Sequence, residues 1–184
     1  MIPQISKNKM VDYPWYTKIG RGEPLAQGDI FYHVPFTAPP RDPTSHEADI
    51  EEYDVIVMSQ SCDLEHHKLS NVLFCPIYPL EDTIGKIAGT DGEKAQINEK
   101  NKLRKGEKIA YHLLNKCEIA EAEFDFKIVD LRNALSLPIE FIVTFELENN
   151  ERIRLCPPYL EQLSQAFARG LMRVGLPNDI PEFK

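Results

Sequence analysis

The fold is predicted most directly from one stretch of the chain, Val55-Ile56-Val57-Met58-Ser59-Gln60-Ser61-Cys62-Asp63-Leu64. Its first four residues are apolar, and three of them are β-branched, which favours a short strand buried in the protein core. The strand ends at a cluster of polar residues and a thiol, followed by Glu65-His66-His67. A buried strand that brings several hydrogen-bonding side chains to one point is where we expect a functional site.

Two more strands are predicted on either side of this stretch. Residues 28–36 alternate in the manner of a strand, and Pro35 indicates an edge position or a bulge because proline cannot donate to a neighbouring strand. Residues 71–77 form the next strand after a loop of about ten residues. If strands 54–60 and 71–77 make a hairpin centred near Glu65, Cys75 pairs close to Ile56.

The first part of the chain divides into three segments. Residues 1–24 combine prolines and glycines with aromatic side chains, which predicts an irregular N-terminal arm whose Trp15 packs on the body. Residues 25–80 carry the three strands described above. Residues 81–108 are rich in glycine, lysine and arginine, and we interpret them as an exposed, solvated insertion with one short helix at about 94–103.

The second part completes the sheet and ends in a helix. Within 109–156, the alternation of apolar and charged residues over 120–128 predicts a strand with one solvent-exposed face. Residues 139–147 and 152–155 have the pattern of a hairpin turned at Glu148-Asn149-Asn150. Apolar residues at helical spacing predict a long C-terminal helix over 157–177, which Gly175 and Pro177 would end.

The composition is that of one ordinary globular domain. The chain has 184 residues, of which 42% are hydrophobic and 27% charged, enough to bury a sizeable core. It contains no apolar run of the roughly 18 residues that span a membrane and no apparent signal peptide, so we expect a cytoplasmic protein without membrane contacts.

The four cysteines are widely spaced, which favours free thiols. A net charge of −8 disfavours RNA and other polyanions but allows a local basic site.

The order of these strands resembles that of the MazF/PemK-like toxins. Gln27-Gly28-Asp29-Ile30-Phe31 resembles the opening strand of that family, residues 55–60 its second strand, and Val72-Leu73-Phe74-Cys75-Pro76-Ile77 its third. The match covers about residues 28–78. The resemblance implies a mainly β (α+β) fold, namely an SH3-like barrel of antiparallel strands, here with an exposed insertion and a C-terminal helix, in a prokaryotic protein.

The resemblance also implies cleavage of single-stranded RNA, but the catalytic positions are not retained. The family uses an arginine just before its second strand and a hydroxyl side chain just after its third, which stabilise and orient the reacting phosphate. This chain has Tyr53-Asp54 at the first position and Tyr78 at the second. Arg41 or Arg154 could replace the missing cation only if the fold brings it to the site.

The polar cluster at the end of the central strand allows three other interpretations. Cys62 with His66 and His67 could bind zinc, although Cys75 would lie about 20 Å away along the hairpin. Cys62 could instead be a nucleophile with His66 as its base, although Asp63 beside it raises the pKa of a thiol. Alternatively, the polar side chains brace a turn.

We therefore predict a cytosolic binding module rather than an ordinary toxin. Its pocket is expected at Ser59–Asp63, and its partner is a protein or a small polar ligand. An active enzyme, either a diverged ribonuclease or a cysteine-dependent hydrolase, and a zinc-stabilised interaction domain are the alternatives. No metal ligand and no cofactor are assigned. The expected binding residues are Ser59, Gln60, Cys62, Asp63, His66 and Arg154.

A second group of cations is also a candidate anion site. Arg169 and Arg173 lie four residues apart in the predicted C-terminal helix and therefore share one face. With Arg152 and Arg154 they could form an anion-binding patch, but pairing with the many carboxylates of the chain is the simpler expectation.

Overall fold

The computed structural model describes residues 13–40, 42, 44, 48–149 and 152–172. These residues contain eight strands: β1 (Tyr16–Ile19), β2 (Asp29–Ala38), β3 (Asp49–Val57), β4 (Asn71–Pro79), β5 (Tyr111–Leu114), β6 (Lys127–Asp130), β7 (Leu135–Pro138) and β8 (Arg152–Leu155). They also contain five helices: α1 (Ser61–Glu65), α2 (Leu80–Ala88), α3 (Glu93–Arg104), α4 (Ile139–Asn149) and α5 (Tyr159–Leu171).

All strand pairs are antiparallel, in the order β1-β8-β2-β3-β4-β6-β5. β7 lies off this path and pairs with the first half of β4. The fold is therefore α+β with one mainly antiparallel sheet, as the sequence predicts.

The last three residues of β3 are buried on both faces of the sheet, which explains the uninterrupted apolar run there. Val55, Ile56 and Val57 are fully buried. Ile56 packs in one hydrophobic cluster with Cys75 and residues of β6 and β8. Val55 and Val57 point to the opposite face, where they pack in a second cluster with Phe74 and Ile142. A strand with cores on both sides cannot alternate apolar and polar residues.

The three predicted strands around this stretch are confirmed as β2, β3 and β4. Ile56 pairs directly with Cys75, as the hairpin prediction requires. The register of β2 against β3 shifts between Phe31 and Val34, and His33 has a φ of 53°. The bulge expected from Pro35 is therefore present, slightly before the proline.

The predicted hairpin of residues 139–147 and 152–155 is wrong. Residues 139–149 form α4, and β8 pairs with β1 and β2 instead. Helical spacing places Ile142 and Glu146 on one face, where Ile142 is fully buried and Glu146 forms a 2.8 Å ion pair with Arg152. Tertiary contacts thus override the strand preference of the β-branched residues in this segment.

The predicted strand over residues 120–128 is also wrong for most of its length. Regular pairing begins only at Lys127, at the start of β6, and before it Cys117 and Phe124 form an isolated bridge. Glu121 has a φ of 72°, which an extended strand does not allow. Lys127, expected on the solvent face, is buried and paired with Asp54 at 2.8 Å.

The segment 81–108 is folded rather than simply exposed. The predicted short helix is present as α3, but α2 precedes it and was not predicted. α2 ends at Gly89, whose φ of 69° is the left-handed conformation that glycine adopts readily. Leu80, Ile84 and Leu103 pack with Ile128 in a third hydrophobic cluster. Apolar contacts therefore hold these helices against the sheet.

The two ends of the chain are described in part. Within the predicted irregular arm, Tyr16–Ile19 form β1 at the edge of the sheet. Trp15 stacks on Tyr159 with ring centroids 3.5 Å apart, so its packing role is confirmed. The C-terminal helix is 13 residues long as α5, shorter than predicted. Arg41, Arg173, Gly175 and Pro177 lie outside the described residues.

None of the helices in the described part of the chain is long and apolar enough to cross a membrane.

Candidate functional site

The end of β3 is fixed to β4 by Ser59. The hydroxyl of Ser59 accepts a 2.9 Å hydrogen bond from the backbone N–H of Leu73. The backbone N–H of Met58 donates to the carbonyl of the same leucine at 2.8 Å. Because Ser59 is buried and its oxygen is already engaged, this side chain acts first as a structural brace.

The next residues connect this turn to the segment before β2. The backbone N–H of Gln27 donates to the Ser61 hydroxyl at 3.0 Å. The Gln27 side chain donates to the carbonyl of Met58 at 2.9 Å. Ser61 also begins α1, so the polar cluster predicted as a pocket is the start of a short helix. Part of its hydrogen-bonding capacity is therefore used to hold the turn.

The remaining predicted site residues lie at the surface of this turn. Cys62 is exposed, and its sulfur contacts the Gln60 and Asp63 side chains at 3.7 and 3.8 Å. Asp63 forms a 3.4 Å ion pair with Lys68. His66 is exposed and follows α1 in the chain. Within the described residues no hydrogen bond joins a histidine to the Cys62 sulfur, so the thiol has no positioned base there.

Arg154 is not joined to this cluster. From β8 its guanidinium donates to both carboxylate oxygens of Asp29, at 2.5 and 3.0 Å. Asp29 is fully buried, and the buried Arg152 lies 3.1 Å from the same carboxylate while also pairing with Glu146. Arg152 and Arg154 therefore pair with carboxylates, as expected, and do not form a free anion-binding patch.

The two residues at the positions where the resemblance would require catalytic residues make structural contacts instead. Asp54, where the resemblance would require an arginine, pairs with Lys127 and accepts a hydrogen bond from the backbone of His33. Tyr78, where it would require a smaller hydroxyl residue, packs in the third hydrophobic cluster. Burial, with carboxylates nearby, raises the pKa of its phenol.

The arrangement of the described side chains does not match a metal centre. In that part of the chain, no group of three or more His, Cys, Asp or Glu residues is placed to hold a metal ion. Cys75 and Cys117 are buried core residues, and burial raises the pKa of the Cys75 thiol to about 12. A buried thiol of this kind stays protonated and behaves as a small apolar group.

A large cavity lies elsewhere, between the α2–α3–β5 segment and α5. It has a volume of about 1010 Å³, at the upper end of the range for small-molecule sites. We call it the α3–α5 cavity. Its apolar and aromatic lining consists of the exposed Ile109 and seven buried or half-buried side chains: Trp15, Leu80, Leu103, Tyr111, Leu113, Phe126 and Ala166.

The charged lining of the α3–α5 cavity is mainly basic. Five basic and two acidic side chains line it: Lys100, Arg104, Lys105, Lys108, Arg169, Glu81 and Glu107. Lys100 pairs with Glu81 at 2.6 Å, Lys108 pairs with Glu99, and Lys105 lies 3.9 Å from Glu107. Arg104 and Arg169 have no ion pair within the described residues. The cavity thus concentrates positive charge in a protein of net charge −8.

His112 lies in the wall of this cavity and is neutral at ordinary pH. Burial, with a smaller contribution from the Arg169 guanidinium, lowers the pKa of its imidazole to about 4. Its Nε2 atom is buried and has no hydrogen-bond partner among the described residues. Such an atom costs about 1–3 kcal/mol, so a ligand or water that reached it would gain a hydrogen bond.

The sequence alone did not indicate this cavity. The sequence marks Arg169 as a candidate cation and residues 81–108 as rich in lysine and arginine, but it gives no reason to join the two. The lining comes from three distant parts of the chain, and no short motif or spacing connects them. The one local signal is the density of lysine and arginine in α3 and the turn that follows it.

Comparisons with known proteins add no further assignment. No protein-family model matches this chain, and the search of curated proteins finds none that is similar to it. The resemblance to the MazF/PemK-like toxins therefore stays a prediction from the strand patterns.

Proposed function

We propose that this protein is a binding module that takes a small ligand in the α3–α5 cavity. The observation that carries the proposal is the combination of a 1010 Å³ space, an apolar and aromatic lining, and two arginines without carboxylate partners in the described residues. Sites of this kind bury the apolar body of a ligand and orient it with a few polar groups. The binding class is the one predicted from the sequence, but the site is different.

The resemblance to an SH3-like barrel is compatible with this proposal. The strands from β1 to β5 form an open path, but the side chain of Tyr16 in β1 donates to the carbonyl of Asn115, just after β5, at 2.8 Å. Residues from β1, β2, β3, β4, β5, β6 and β8 also share one hydrophobic cluster. These contacts support a partly closed barrel with the cavity outside it, between the added helices.

A titration with 1-anilinonaphthalene-8-sulfonate tests this proposal. Trp15 is the one tryptophan of the chain and lines the cavity, so energy transfer from it to the dye reports binding near the site. We expect saturable binding of one dye molecule. Ala166→Phe, which places a bulky ring in the α5 wall of the cavity, should weaken binding at least about tenfold, or about 1.4 kcal/mol.

The matched control is Ala168→Phe, which adds the same ring to an exposed position of α5 outside the lining. It should bind like the wild type. Absence of saturable binding, or equal weakening by both substitutions, would contradict the cavity as the ligand site.

A further inference from the structure

We infer that the ligand of the α3–α5 cavity is an organic anion, with a flat apolar body that lies on the aromatic lining and a carboxylate or related group that faces Arg104 and Arg169. This inference rests on the proposed function and names the chemical class of its ligand. It follows from how charge and apolar surface are distributed around the cavity.

The two arginines are the cations best placed to bind an added anion. The other three basic side chains of the lining already have carboxylates within 4.0 Å. Arg104 ends α3 and Arg169 lies in the last turn of α5, so two separate elements each bring to the cavity a guanidinium that has no ion pair in the described part of the chain. A guanidinium binds carboxylates and phosphates with paired hydrogen bonds, which makes arginine more selective than lysine.

The surroundings of His112 support an anion in the same place. Burial, and to a smaller extent the Arg169 guanidinium, lowers the pKa of the His112 imidazole, so this side chain is neutral and Arg169 is the cation beside it. The two walls approach each other beside this arginine, where a Cβ atom placed on Gly170 would lie 3.8 Å from the carbonyl oxygen of Ile109. An anion bound at Arg169 would balance the charge that the described carboxylates leave uncompensated.

The apolar body is required by the rest of the lining. Trp15, Tyr111 and Phe126 line the cavity, and each ring also has a partner in the protein, namely Tyr159, Arg132 and Lys116 in that order. Aromatic rings favour flat apolar groups by stacking and edge contacts, each worth about 0.5–1.5 kcal/mol beyond burial. A small inorganic anion would leave this surface and most of the 1010 Å³ unfilled. An apolar molecule without charge would leave both arginines without a carboxylate partner among the described residues, and Arg169 would keep its hydrogen bond to the Gln165 carbonyl oxygen.

Three matched probes test this inference by calorimetry: 2-naphthoate, the neutral 2-naphthamide and the cationic 2-naphthylmethylammonium. We expect the anion to bind at least about tenfold more tightly than the amide, and the cation to show no measurable binding. The Arg104→Gln/Arg169→Gln double variant should bind the anion and the amide about equally. Lys94→Gln removes a charge from the same α3 helix outside the cavity and should keep the wild-type preference.

The outcomes separate the two proposals. If all three probes bind equally and Ala166→Phe abolishes binding, the cavity is a ligand site but the inferred anion class is wrong. If none of them binds, the proposed function fails and the inference fails with it. An anion preference that persists in the double arginine variant would also overturn the inference, because another part of the protein would then select the charge.

Discussion

Asp29 connects two arginines in the interior of the protein. It is fully buried, and it pairs with both Arg152 and Arg154 at a point where β2 and β8 pair. The backbone N–H of Ala26 also donates to its carboxylate at 2.9 Å. Removing one partner of such a group leaves a buried charge that water cannot reach, and the cost of this exceeds the value of the pair itself.

We therefore expect Asp29→Asn to lower the free energy of unfolding by about 3–5 kcal/mol, measured by urea denaturation. Asp63→Asn is the matched control, because the same change then affects a more exposed pair with Lys68 and should cost less than about 1 kcal/mol. Equal effects of the two substitutions would contradict the structural role assigned to Asp29.

The depressed pKa of His112 makes a pH-dependent contribution to stability. The folded protein disfavours protonation, so the unfolded state binds more protons between the folded pKa of about 4 and an unfolded value near 6.5. The contribution is complete above about pH 6.5 and is lost as the pH falls toward 4.

Unfolding free energies at pH 7 and pH 4.5 should reveal this effect. On lowering the pH, the wild type should lose on the order of 2 kcal/mol more than His112→Gln, which cannot be protonated. His66→Gln replaces an exposed histidine and should follow the wild type. If the His112 and His66 variants had the same pH dependence, the imidazole would not be held neutral by the fold.

At the scale of elements, α4 is the clearest test of how the fold departs from local preference. Its segment contains Ile139, Phe141, Ile142, Val143 and Phe145, which together favour a strand. The helix forms because its inner face meets the second hydrophobic cluster through Ile142 and meets Arg152 through Glu146. The ion pair between Glu146 and Arg152 joins α4 to β8, and no spacing of residues in the sequence indicates it.

Substitutions at the exposed Val143 distinguish a helix from a strand. In a helix, Val143→Ala should leave the free energy of unfolding unchanged or raise it by up to about 0.5 kcal/mol, and Val143→Gly should be about 1 kcal/mol less stable than the alanine variant. In a strand, alanine would be less stable than valine. A clear loss of stability in Val143→Ala, measured by thermal or urea unfolding, would contradict the assignment of α4.

The strands around Val55–Met58 were predictable for physical reasons that act locally. An apolar run buried on both faces, a proline near a bulge and a hairpin of defined length together fixed even the pairing of Ile56 with Cys75. The structure of residues 120–126 was not predictable, because alternation there reflects one bridge and separate contacts rather than a paired strand. Ser59–Asp63 was located correctly just after a strand, and the hydrogen bonds of Ser59 and Ser61 agree with the turn-bracing alternative rather than with a pocket.

At the scale of the whole molecule, the central feature is a positively charged cavity in an acidic protein. Residues 81–108 supply one wall, and α5 supplies the other. Because these segments are far apart in sequence, the cavity exists only once the third hydrophobic cluster holds α2 and α3 against the sheet. Under the proposed function, the segment predicted to be an exposed insertion is therefore the part of the chain that builds the ligand site.

A crystal structure of the full chain with 2-naphthoate tests this central claim most directly. We expect the naphthalene ring between α3 and α5, beside Phe126 and Trp15, with its carboxylate within about 4 Å of the Arg104 or Arg169 guanidinium. Density for the ligand at Ser59–Asp63, or a cavity that stays empty at saturating ligand while the compound binds elsewhere, would contradict it.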